Sequence, residues 1–143
     1  MPRRGSLAGT YGPISGQNRN PFNNATGGTV TEVSNYNGTG QRWRVHTFTA
    51  NGTLNVLTAT SPFSVLVVAG GGGGGGNTGS NAGSQGGGGG GGVITATPTI
   101  PIGANAVTVG PGGNGNTNGS NSTFLGYTAI GGGRGGIEEP STN

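Results

Sequence analysis

The sequence predicts an all-β chain: a small β-sandwich or jelly-roll-like domain, a glycine-rich layer of polyproline-II-like strands, and an extended N-terminal arm. Three observations predict it. Short runs of alternating apolar and polar residues are separated by Gly, Asn and Pro, and no stretch carries the 3.6-residue period of a helix. Two runs of seven glycines, residues 70–76 and 86–92, flank nine small polar residues and abut apolar segments on their outer sides. The first 35 residues carry Pro2, Pro13 and Pro21 and show no period of either kind.

Residues 1–35 read as the arm and 36–143 as the glycine-rich β-domain. An ordered arm needs partners, because it buries too little of its own surface to offset the entropy of ordering it. Its expected anchors are Arg3, Arg4, Leu7, Tyr11, Ile14, Arg19 and Phe22. From residue 36 the texture changes. Alternation predicts strands at 43–49 and 53–59, with Asn51-Gly52 as a tight hairpin turn. The run 64–69 is continuously apolar, which predicts a central strand. Further strands are expected at 93–97, 106–109 and 122–130, with Asn118-Gly119 in a turn.

The glycine runs admit two readings. As free coil, seven glycines span about 15 Å. As a polyproline-II strand each run extends about 22 Å, and glycine lets such strands pack backbone on backbone. Ordering fourteen glycines costs about 14–28 kcal/mol, which only dense mutual packing or a neighbouring subunit offsets. Equal run lengths suit two antiparallel rods, and further clusters at 110–115 and 131–136 supply enough glycine for a layer of four. Packing predicts that Gly73 and Gly89 admit no valine. The tips of such a layer are the expected contact loops, with Asn77, Thr78, Ser80, Asn81 and Gln85 in one and Asn114, Asn116 and Asn118 in the other.

Composition narrows the function. Only 6% of residues are charged, unlike most disordered chains, although 37 glycines and 8 prolines make up just under a third of the 143 residues. The net charge of +3 comes from six arginines against three glutamates, too sparse for a nucleic-acid surface. There is no cysteine, no apolar run of membrane-spanning length, and no apolar core after Arg3-Arg4 to make a signal peptide. His46 is the only histidine, and the chain holds neither Asp nor Lys. A catalytic triad, a metal set and a phosphate-binding Walker loop are therefore not expected, and neither is a cofactor. Glu138-Glu139 reads as a solvated pair. In Arg42-Trp43-Arg44 the favoured arrangement puts Trp43 towards the core with the arginines flanking it, and the alternative is a carbohydrate or partner contact made by the Trp face and the Arg forks.

The order of motifs carries a resemblance. W-x-V-H-T-F-T-x-x-G-x-x-x-V (43–56) is followed by V-L-V-V-A-G-G-G-G (65–73) and V-T-V-G-x-G-G (107–113). G-S-N-S-T-F (119–124) and T-A-I-G-G-G (128–133) complete the series. Together they resemble the glycine-rich domain of tailed-bacteriophage virion proteins, of minor tail, tail-fibre or adhesin type. That resemblance implies a non-enzymatic virion protein, made in a host cytoplasm, anchored by its arm and presenting glycine-rich loops towards the host surface. A capsid-decoration (cement) protein of the phage head is the alternative, and a glycine-rich matrix or ice-binding protein a second. The implied partners are other virion proteins, further copies of the chain in a homo-oligomer such as a trimer, and a host surface polysaccharide or protein. Neither nucleic acid nor membrane insertion is implied.

Overall fold

A computed structural model describes residues 23–35, 38, 40–59, 62–76 and 86–136. Among these there is no α-helix, and nine strands form three antiparallel sheets without a barrel. In chain order they are β1 (Asn24–Thr26), β2 (Thr29–Val33), β3 (Trp43–Thr47), β4 (Gly52–Thr58) and β5 (Val65–Val68), then β6 (Val93–Ala96), β7 (Gly103–Thr108), β8 (Ser122–Phe124) and β9 (Tyr127–Ala129). One sheet has the order β1-β4-β7-β8-β9; among the described residues β2 pairs only with β3, and β5 only with β6. The result is the expected small sandwich-like domain.

The core is compact and almost wholly aliphatic. Leu54 and Val56 of β4, Val67 of β5, Phe124 of β8 and Ala129 of β9 are buried with Ala25, Ala69 and Ile100. Val56 and Ile100 are the most enclosed large side chains, each 1% exposed. One polar side chain enters β7 at Asn105. Its amide donates to the carbonyls of Pro101 at 2.9 Å and Gly103 at 3.0 Å, which satisfies a group otherwise costly to bury.

The arm was expected to reach residue 35, but residues 24–33 form β1 and β2, and Ala25 lies in the core. Residues 1–22 lie outside the described residues. Asn51-Gly52 does not close a hairpin: β3 and β4 belong to different sheets, and neither residue has a positive φ. Residues 48–51 instead cross between layers. The Asn51 side chain accepts from Val109 N–H at 2.8 Å, and the Phe48 ring packs over Gly52, where a Cβ would lie 3.0 Å from it. The 64–69 run is not central. β5 belongs to a two-stranded sheet whose outer side leaves Leu66 64% and Val68 51% exposed, so continuous apolarity here does not mean two covered faces. The 122–130 segment is two strands, joined at Leu125-Gly126 with φ of 48° and 81°. Both values are positive, as a type I′ hairpin turn requires.

Candidate functional site

The two seven-glycine runs leave β5 and return to β6, so the β5–β6 ladder clamps one end of each. Beyond it the backbone bonds recur every third residue. Ala69, Gly72 and Gly75 donate to the carbonyls of Gly92, Gly89 and Gly86 at 2.8–2.9 Å, which sets 70–76 and 86–92 antiparallel. Gly70 and Gly73 donate to Ser120 and Thr117. The carbonyls of Gly71 and Gly74 accept from Gly113 and Asn116, and those of Gly70 and Gly73 accept from Gly132 and Gly135. The 70–76 rod is thus bonded to four neighbouring segments. A further ladder ties Gly86, Gly89 and Gly92 to Gly136, Gly133 and Ile130.

A β-ladder would repeat every two residues. A repeat of three, with no positive φ at any glycine of these segments, is that of left-handed polyproline-II strands. In place of the expected layer of four, four segments surround a central rod. Chain approach explains the residue type: a Cβ at Gly70, Gly72, Gly73 or Gly75 would fall well inside 3.0 Å of a carbonyl on a neighbouring segment. The outer rod shows the same restriction once per turn, at Gly88 and Gly91. Gly73 is closed to any side chain as expected, but Gly89 is not, because its Cβ would meet Gly133 N at 3.4 Å, ordinary contact. Gly87 and Gly90 face open space.

Asparagine and serine side chains finish the bundle by standing in for backbone carbonyls. Ser122 Oγ accepts from Gly110 N–H, Asn121 Oδ1 from Gly131 N–H and Asn118 Oδ1 from Arg134 N–H, all at 2.8–2.9 Å. Asn116 sits in the left-handed region at φ 64°, and its Oδ1 accepts from Gly76 N–H. The turn lies at Gly115-Asn116 rather than at the expected Asn118-Gly119, which runs within the bundle. Of the expected contact residues, Asn116 and Asn118 use their side-chain oxygens within the chain. Asn114 is exposed, and its carbonyl accepts from both Thr117 N–H and Thr117 Oγ1. The Arg134 guanidinium reaches the Asn116 carbonyl at 3.4 Å and joins this tip, a residue the sequence reading did not select. Asn77, Thr78, Ser80, Asn81 and Gln85 lie outside the described residues, as do all seven expected arm anchors.

Outside the glycine bundle, Glu32 of β2 takes both Arg42, at 3.0 Å, and Arg44, at 2.9 Å. The Arg44 hydrogen bond, the Arg44 charge and then the Arg42 charge hold the Glu32 carboxyl below its ordinary value. Trp43 is 37% exposed, so it lies at the surface rather than in the core, where the sequence reading placed it. His46 Nδ1 lies 2.8 Å from the Gly27 carbonyl and donates to it, a structural bond across the β2–β3 entry.

Residues 47–143 match the model of a family described as a glycine-rich domain. No curated protein and no solved structure matches the chain.

Proposed function

From the premise that the chain belongs to the glycine-rich domain family, we propose that it is a non-enzymatic structural protein of a tailed-phage virion. In this reading residues 1–22 attach it to the particle and the glycine bundle carries its tips towards the host surface. One observation above all supports the reading: a central rod hydrogen-bonded to four others at three-residue intervals. Such a bundle is held by backbone-to-backbone hydrogen bonds around a rod of glycines that has no side chains to rearrange, so it is a stiff support. Recognition loops work best on a stiff support, because less entropy is lost when they bind. The tip around Asn114, Asn116 and Arg134 stands at the end away from the β5–β6 clamp. The motif order across residues 43–133 points the same way.

Labelled antibody against the purified chain, read by electron microscopy on intact particles, tests this. Label confined to the tail tip or fibres is the expected result. Label spread over the head would replace the tail assignment with capsid decoration, and particles without label would overturn the virion reading.

A further inference from the structure

The second layer of the sandwich is interrupted. The β5–β6 ladder packs on the five-stranded sheet, the β2–β3 ladder is exposed along almost its whole length, and among the described residues no ladder joins β3 to β5. Between them lies a cleft of about 420 Å³. One bank is the six consecutive residues 43–48 and the other the six consecutive residues 63–68. Residues of both parities line each bank, so the two strands present edges to the cleft, not faces. Its floor is the core itself, with Leu54, Ile100, Val107 and Phe124. Aliphatic side chains stand at its margins: Val45 is 41% exposed and Leu66 64%.

Two facing strand edges above an apolar floor fit one thing well, an added strand. Filling the gap would turn two isolated two-stranded ladders, each marginal alone, into one continuous five-stranded layer. We propose that this slot receives residues 6–11 of a second copy of the chain. The proposal rests on the reading that residues 1–22 bind a partner, and it names that partner. Ser-Leu-Ala-Gly-Thr-Tyr places Leu7, Gly9 and Tyr11 on one face in strand alternation, and Pro13 ends the run. Six residues extend about 20 Å, matching the five-residue length of β3 with one residue to spare. The other stretches outside the described residues suit the slot poorly: 77–85 has no large apolar residue, and 137–143 contains Pro140 and two glutamates. Exchange of a strand between identical chains is a low-cost route to an oligomer. It also adds apolar cover to a core that has eight buried hydrophobic residues among those described.

The chain has no cysteine, so a single introduced pair reports the contact. One full-length population carries Ala8→Cys and another Leu66→Cys; they are unfolded together, refolded and oxidised. The expected product is a disulfide-linked heterodimer, with a synthetic peptide of residues 5–13 suppressing it in proportion to its concentration. In the otherwise native chain, the pair Leu7→Asp and Tyr11→Asp weakens self-association at least tenfold in sedimentation velocity while the far-ultraviolet spectrum is retained. A full-length chain that sediments as a monomer at about 100 µM would overturn the proposal. So would assembly indifferent to the Leu7 and Tyr11 changes, or a slot filled by the chain's own segment, seen as Ala8–Leu66 crosslinking within one doubly substituted molecule and none between two. These solution results stand apart from antibody labelling of particles, so either reading can fail without the other.

Discussion

Three consecutive glycines, Gly88, Gly89 and Gly90, face three different surroundings within one turn of the outer rod. Alanine at each in turn measures whether the bundle is real. At Gly88 the new Cβ would lie well inside 3.0 Å of the Gly72 carbonyl, with the Gly73 carbonyl close by. Relief needs a shift of roughly 1 Å to restore carbon contact distance. The bonds nearest that shift are Gly72 N–H to Gly89 and Gly89 N–H to Gly133, both 2.8 Å. Losing two bonds at about 1 kcal/mol each, plus about 1–3 kcal/mol of overpacking, gives about 3–5 kcal/mol. Reduced freedom of the unfolded chain returns about 0.4–1 kcal/mol, leaving a net loss of about 2–4 kcal/mol. At Gly90 nothing lies within 4 Å and φ is not positive, so only the gain of about 0.4–1 kcal/mol remains. Gly89, at 3.4 Å from its nearest neighbour, falls between the two. Thermal unfolding followed by circular dichroism reads this directly, at about 4–8 °C per kcal/mol for a folded unit near 100 residues. Gly88→Ala should fall by about 10 °C or more, and Gly90→Ala should rise by a few degrees. Loose glycine loops would make all three alanines equally harmless or slightly stabilising, and that result would refute the three-residue register.

Other consequences are as specific. Asn116→Ala removes the acceptor for Gly76 N–H and should cost about 1–2 kcal/mol in urea unfolding, with amide exchange quickening first at the bundle tip. Val56→Ala opens a hole at a site 1% exposed and should cost about 2–4 kcal/mol in the same assay. Glu32 has a folded pKa below its unfolded one, so its contribution is present above the ordinary glutamate range of about 4 and disappears as pH falls through the folded value. Because this cluster is solvent-exposed the effect is small: the melting temperature should drop slightly on acidification below about pH 4, and Glu32→Gln should flatten that slope.

Much of the architecture was legible in the chain because its causes are local. Period-2 alternation marks β4 and β7 within a few residues, and the absence of a helical period excludes helices. The equal glycine runs foretell antiparallel rods, because only glycine tolerates backbone packed on backbone. Which strands share a sheet was not legible. Asn51-Gly52 satisfies the local rule for a hairpin, but Asn51 gains more by holding the end of β7 while Phe48 carries the chain across the sandwich. Likewise, β1 and β2 have no strong pattern of their own and exist by virtue of β4 and β3, partners about 30 and about 14 residues away in register.

The same division holds within the bundle. Sequence by itself marked residues 70–76 and 86–92 as two equal runs able to pack backbone on backbone, and left free coil as the other reading. It could not distinguish Gly88, which faces a carbonyl, from Gly90, which faces solvent, because identical residues carry no phase. That phase is set only when the 70–76 rod meets its four neighbours, for the three-residue repeat of hydrogen bonds is a property of the contact between strands and not of either strand alone.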